Sequence, residues 1–280
     1  MSLLALPPNP SGIRTLLQDE ATRLKEQHPS LPPTPKQCPT CAGKERFRWL
    51  DGDGQVAEYQ CDCVGQWVLH RYLLHCGIGK KYQRLSWADV QTVPAPVQVQ
   101  ALEYAERVED HIDSGYGLIL RGETTGTGKT LLAVLLLKKI IAMGYDGYFT
   151  QFNDLLDQQS AGWGNSDERA WFIRRIRNAG FLVIDDVGRE NPEAGAKALG
   201  MIESTFDKVI RARHDDCKPT IITTNKTDNW WRQRYQGNIM SLLSGTSRVV
   251  EMTGTDFRQA DEERTAEESR LGLRRPLVIG

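Results

Sequence analysis

No apolar run in this 280-residue chain is long enough to cross a bilayer. The longest, Leu131 to Met143, is broken by Lys138 and Lys139 and falls short of the roughly 20 apolar residues that a spanning helix needs. The first residues, Met1-Ser2-Leu3-Leu4-Ala5-Leu6-Pro7-Pro8, have no basic start and too short an apolar stretch for a signal peptide. Neither sign of charge dominates: 35 basic residues face 36 acidic ones. Any contact with nucleic acid must therefore come from a local patch and not from a global positive field. Cysteine is sparse, at six residues. These absences predict a cytoplasmic protein with reduced thiols and no membrane partner. What remains, 40% hydrophobic and 25% charged residues, suits one sizeable α/β domain with a smaller module.

In a reducing compartment cysteines read as metal ligands before disulfides. Cys38-Pro39-Thr40-Cys41 and Cys61-Asp62-Cys63 are two chelating pairs on either side of a Gly52-Asp53-Gly54 turn. Two such pairs close a tetrahedral sulfur site, and a module with so little apolar content needs that staple. The expectation is a zinc ribbon held by Cys38, Cys41, Cys61 and Cys63, with free thiols or another thiophilic metal as the alternative. His70, His75 and Cys76 follow closely; they either replace a ligand or belong to an amphipathic helix over 67–74. Cys217, far along the chain, reads as a core or surface thiol.

The strongest chemical signal lies further on. Gly117-Leu118-Ile119-Leu120 reads as a buried strand, and a long apolar helix pattern begins at Leu131. Between them stands Gly122-Glu123-Thr124-Thr125-Gly126-Thr127-Gly128-Lys129-Thr130, a phosphate-binding loop in the context such a loop requires. Its glycines let successive backbone N–H groups face one anion, with the helix N-terminus behind them. Gly122, Gly126, Thr127, Gly128, Lys129, Thr130 and Leu131 are the predicted nucleotide contacts. Lys129 would reach the outer phosphates of ATP and Thr130 would ligate Mg2+. Strict spacing puts the first glycine where Glu123 stands, so the loop anchored on Gly122 is one residue longer.

Phe181-Leu182-Val183-Ile184 is a second buried strand, and Asp185 and Asp186 emerge at its C-terminal end, where open α/β sheets bind ligands. Asp185 is the predicted partner of the magnesium ion, and Asp186 the group acting on the attacking water. Asn225 closes the run Pro219-Thr220-Ile221-Ile222-Thr223-Thr224. Its amide either senses the γ-phosphate and water or merely forms a turn. Arg248, at the start of a strand, either crosses to a neighbour's γ-phosphate or sits in a surface ion pair.

Along the chain, a helical arm over 13–28 and the proline-rich 29–35 segment make up residues 1–35. Residues 36–90 form the zinc module, 97–259 the ATPase domain, and 260–280 a charged tail expected to fray or dock on a partner. The ATPase domain starts with a helix over 97–113. Strands at 117–120, 147–151, 181–186 and 219–224 then alternate with helices at 129–143, 153–158, 167–178 and 193–212. This alternation implies a parallel sheet.

Taken in order, these residues resemble the DnaC, DnaI and IstB group of AAA+ ATPases. The resemblance rests on the cysteine pairs, on Gly77-Ile78-Gly79-Lys80-Lys81-Tyr82 with Leu85-Ser86-Trp87, on Gly126-Thr127-Gly128-Lys129-Thr130, on Ile184-Asp185-Asp186-Val187-Gly188 and on Thr223-Thr224-Asn225. It extends to Ser247-Arg248 and to Gly254-Thr255-Asp256-Phe257-Arg258. It implies an AAA+ P-loop core behind a four-cysteine zinc-ribbon module, ATP hydrolysis, Arg248 as an arginine finger and Arg258 as a sensor arginine. It also implies a loader that grips a hexameric replicative helicase of the DnaB kind, self-associates with ATP bound and delivers the helicase to single-stranded DNA. Trp163, Arg169, Trp171, Arg174, Arg175 and Arg177 are the expected DNA-binding element; the alternative is an amphipathic helix burying Trp171 with Ile173 or Ile176. Trp230, Trp231, Arg232 and Arg234 either line a nucleic-acid path or pack inward. The rival functions are an IstB- or TnsC-like ATPase that regulates a transposase on duplex DNA and a zinc-bearing adaptor that no longer hydrolyses ATP.

Overall fold

The structure is a computed structural model that describes residues 44, 46–50, 56–61, 64, 73, 75–90, 93–160, 166–189, 196–235, 237–254, 256–272, 275 and 278. The expected helical arm, Trp163 and three of the four expected zinc ligands, Cys38, Cys41 and Cys63, lie outside them. Within them, Arg46–Leu50 (β1) and Val56–Gln60 (β2) pair antiparallel, Arg46 opposite Gln60. Cys61, the fourth expected ligand, follows β2 directly and is buried. No group of three or more His, Cys, Asp or Glu among the described residues is placed to hold a metal.

Five parallel strands form the main sheet, in the order β4-β5-β6-β3-β7. They are β3 (Gly117–Arg121), β4 (Gly147–Gln151), β5 (Phe181–Val187), β6 (Thr220–Thr224) and β7 (Ser247–Glu251). The interior strands are nearly continuous apolar or β-branched runs because both faces of the sheet are covered. Successive side chains alternate between the covers. Leu118, Leu120, Phe149, Phe181, Val183 and Ile221 face one core, and Ile119, Tyr148, Leu182, Ile184 and Ile222 face the other.

Helix α4 (Lys129–Ala142) fills the first core, accompanied by α1 (Lys80–Gln83), α2 (Ala95–Glu106) and α3 (Val108–Ser114). The helix expected over 97–113 is two helices, because the backbone at Arg107 (φ −102°, ψ 31°) leaves the helical region. The second core is closed by α5 (Phe152–Ser160), α6 (Ser166–Asn178), α7 (Ala196–Asp215), α8 (Asp228–Arg234) and α9 (Gly237–Thr246). Cys76 is fully buried in the first core, its thiol donating to the Leu73 carbonyl, and burial pushes its pKa up to about 11. It is therefore a packing residue of the ATPase core. The Cys217 thiol is exposed.

Two buried cations tie elements together. Lys138, on α4, donates from Nζ to the carbonyls of Tyr82, Gln83 and Leu85 at 3.3, 3.1 and 2.6 Å. It thereby caps α1, and burial lowers its pKa to about 8. Arg213, near the end of α7, donates to the carbonyls of Ile176, Ala179 and Pro219 at 3.0, 2.8 and 2.7 Å and to Thr220 Oγ1 at 3.0 Å. It joins the end of α6 to the entrances of β5 and β6.

The tail does not fray over its described residues, and it docks on its own chain. Helix α10 (Arg258–Arg270) is followed by Arg275, whose guanidinium bonds Asp89 and Glu268 while its carbonyl accepts from Arg84. The Val278 amide donates to the Gln83 carbonyl at 3.0 Å. The contacts with Arg84, Asp89 and Gln83 join segments about 190 residues apart, so no local pattern announces them.

Arg213→Met should keep most of the buried stem while stranding the Ile176 and Ala179 carbonyls; the Pro219 carbonyl keeps the Leu182 amide as a donor. With each unsatisfied buried acceptor costing about 1–3 kcal/mol, the expected loss is at least about 2 kcal/mol. Urea unfolding followed by circular dichroism measures it, and an unchanged midpoint would show that the carbonyls are otherwise satisfied.

Candidate nucleotide site

The phosphate loop begins where β3 runs out. The Gly122 amide donates to the Thr224 carbonyl at 3.2 Å, and the Met252 carbonyl lies so close that no side chain fits there. Glu123, by contrast, is exposed. The residue that must be glycine is thus 122, and the added length is taken up in open space. Gly126 and Gly128 have φ of 72° and 87°, left-handed conformations that glycine adopts without strain. Gly128 is the N-cap of α4 and offers no side-chain cap, so the first amides of the helix remain available to an anion.

Lys129 is 8% exposed, and its ammonium sits inside the loop. Nζ donates to the carbonyls of Gly122 and Thr124 at 2.8 and 2.7 Å and to Thr127 Oγ1 at 3.2 Å. Burial lowers its pKa.

Asp185 is 3% exposed, and its Oδ1 accepts from Thr223 Oγ1 at 2.6 Å and Thr130 Oγ1 at 2.9 Å. Burial pushes its carboxyl up to about 6 against the pull of those two hydroxyls. A register shift between Ile184 and Val187 then interrupts the β5–β6 ladder. Within it Asp186 adopts φ 64°, unusual for a residue with a side chain, and its amide donates to Thr223 Oγ1 at 2.8 Å. Thr223 therefore orients both aspartates. It is a site residue to which no role was assigned from sequence, although a threonine inside an apolar strand whose hydroxyl must find partners was the available signal.

One cleft of about 910 Å³ is lined by Gly126, Thr127, Gly128, Lys129, Thr130, Leu131, Asp186, Asn225 and Arg258. Asn225 Oδ1 is buried without a hydrogen-bond partner among the described residues. Away from the loop, the walls come from Tyr82, Leu85, Asp89 and Arg275. The volume is that of a nucleotide-sized pocket. Asp185 is joined to the cleft through Thr130. Of the predicted residues, Gly122 supports the loop without lining the cleft, and Arg248 does not line it either. Arg248 is half-exposed on the edge strand β7, its guanidinium 3.3 Å from Glu103.

The expected DNA-binding element divides. Trp171 is 53% exposed and Arg174 and Arg177 are exposed, whereas Ile176 is buried. Arg175 bonds Asp146 at 2.9 Å and lies over the Tyr148 ring. The Arg169 side chain lies outside the described set. Trp231 is buried against Phe206 and Tyr235, and Trp230 is half-buried beneath the Lys226 ammonium. The adjacent tryptophans pack inward.

Strand order, phosphate loop and paired aspartates define an ATPase of the AAA+ P-loop class. The model of the family described as IstB-like ATP binding protein matches residues 96–264. The chain belongs to that family. Among solved structures it is similar to DnaI, with 20% identity, a TM-score of 0.52 and coverage of 63% of this chain and 95% of that one. It is also similar to the DnaC helicase loader, with 26% identity, a TM-score of 0.50 and coverage of 62% and 100%. No curated protein matches the sequence. Among the described residues, no helix is long and apolar enough to cross a membrane.

Because the folded-state pKa of Asp185 lies above the ordinary value near 4, protonation favours the fold. That contribution is full below about pH 4 and is lost as pH rises through about 6. Above this, holding the charge buried costs on the order of 3 kcal/mol. Asp185→Asn keeps the acceptor for Thr223 and Thr130 without the charge. It should therefore melt at a higher temperature than the parent at pH 7.5 in EDTA, with the gap closing toward pH 4. It should also lose at least about tenfold in magnesium-dependent nucleotide affinity. Thermal melts and titration with a fluorescent ATP analogue read both effects.

Proposed function

We propose that this ATPase loads a hexameric replicative DNA helicase onto single-stranded DNA. The observation that carries the reading is the likeness to the DnaC helicase loader over the whole length of that solved chain, together with a nucleotide-sized cleft around the phosphate loop. An exposed Trp171 beside Arg174 and Arg177 adds a surface on which bases stack while arginines neutralise phosphates.

In this reading the loop amides and Lys129 hold the outer phosphates of ATP, exchanging the loop carbonyls that now occupy the ammonium. Thr130 and Asp185 supply the magnesium ligands. Their chemistry fits a hard cation, since a hydroxyl and a carboxylate oxygen already converge at 2.9 Å. Magnesium, when bound, offsets charge on the phosphate oxygens. Asp186 accepts a proton from the attacking water, and the unpartnered Asn225 Oδ1 orients that water. Arg258, which also lines the cleft, reaches the phosphates. Arg248 leaves Glu103 and serves the cleft of a neighbouring copy when chains assemble side by side with ATP. Zinc at Cys38, Cys41, Cys61 and Cys63 staples the N-terminal module, which grips the helicase.

The second reading, regulation of a transposase on duplex DNA, is favoured by the IstB-like family description. Native mass spectrometry with the replicative helicase of the source cell, with and without ATP, separates the two. Several copies per helicase hexamer, lost when residues 1–72 are removed, are expected of a loader. ATP-dependent assemblies on duplex DNA with no helicase complex would replace it with the transposition reading. Residues 73–90 stay in that truncation because they belong to the ATPase core.

Arg248→Ala should lower turnover of the assembled protein by about 10³-fold while leaving ATP affinity unchanged. Unchanged turnover would leave Arg248 as the partner of Glu103 alone.

A further inference from the structure

The turn after β5 carries a charge pair that the nucleotide site does not need for its shape. Arg189 Nη1 lies 2.8 Å from Asp186 Oδ2, and the pair is the carboxylate's salt bridge among the described residues. The backbone of Asp186 is already set without it, by φ 64°, by the register shift and by the bond from its amide to Thr223. The Arg189 side chain is 67% exposed, and an exposed pair three residues apart adds little to stability. Its consequence is therefore local to the carboxylate.

That consequence follows from where the two groups stand. Asp186 lines the nucleotide cleft, while Arg189 is not among the residues that line it. The guanidinium occupies one carboxylate oxygen with a charge-assisted hydrogen bond, a bond about twice as strong as a neutral one. An oxygen so engaged has one lone pair fewer to offer a water in the cleft.

We infer that Arg189 is a positioning residue that restrains Asp186, keeping ATP turnover low in the isolated chain. The inference rests on the reading of Asp186 as the group that acts on water. Arg189 binds neither nucleotide nor metal in this scheme. It governs how much of the time the aspartate is free to work, and its effect belongs in kcat and not in KM.

The test uses the full chain and steady-state ATP hydrolysis without helicase or DNA. Arg189→Gln should raise kcat by about fivefold, with KM for ATP and the melting temperature unchanged. Arg189→Lys, which retains a cation, should stay near the parent. Asp186→Asn should abolish turnover alone and in combination with Arg189→Gln. An unchanged or lower kcat in Arg189→Gln, with Asp186→Asn inactive, would overturn the restraint and leave the role of Asp186 standing. Parental turnover in Asp186→Asn would instead overturn the role of Asp186, and the restraint with it.

Discussion

The buried carboxylate of Asp185 is the point on which the site is assembled. It emerges from β5, accepts a hydroxyl from Thr223 on β6 and another from Thr130 at the start of α4, so two strands and the phosphate-loop helix meet at one oxygen. A carboxylate this enclosed is unfavourable unless its lone pairs are used, and each hydroxyl in turn requires a fixed backbone behind it. The mutual requirement fixes the height of the loop against the strand ends. It also explains why Thr223 accepts from the Asp186 amide, which turns the neighbouring carboxylate away from the sheet and toward the cleft.

Much of this was legible in the residues. The parallel sheet followed from apolar runs alternating with helical patterns, and the strand bounds agree to within a residue. The loop and paired aspartates were found because their chemistry demands local spacing: glycines where the chain turns, carboxylates where a strand ends. Contacts between distant segments were not legible. Asp89 pairing with Arg275, Lys138 capping α1 and Arg213 gathering carbonyls from two turns depend on the fold being formed, and charged residues in an apolar helix or a polar tail give no hint of direction. The break at Arg107 was hidden for a related reason, since Val108 and Ile112 continue the apolar helical spacing while the backbone does not.

The two flanks of the ATPase core converge on the same wall of the cleft. Tyr82 and Leu85, which line it, are held from below by Lys138; Asp89, beside them, is held from above by Arg264 and Arg275. The Gln83 carbonyl receives both the Lys138 ammonium and the Val278 amide. A segment pinned at both sides by buried or half-buried charge cannot shift alone. Just before this segment the Cys76 carbonyl accepts from the Phe149 amide, which ties the chain entering it to β4.

The extra loop residue fits the same logic. Past Glu251, where β7 ends, the chain lies against the loop: the Met252 amide bonds the Arg121 carbonyl, the Met252 carbonyl abuts Gly122, and the Asp256 carboxylate packs on Gly126. The Phe257 amide then bonds the Gly126 carbonyl at 3.2 Å. A longer loop has more conformations to lose on binding an anion, and an outer brace removes many of them beforehand. The brace follows the strand that carries Arg248, and it leads directly into Arg258 on the cleft wall. Loop length, edge strand and cleft arginine are therefore one mechanical unit, and the departure from strict spacing does not by itself argue for a weakened site.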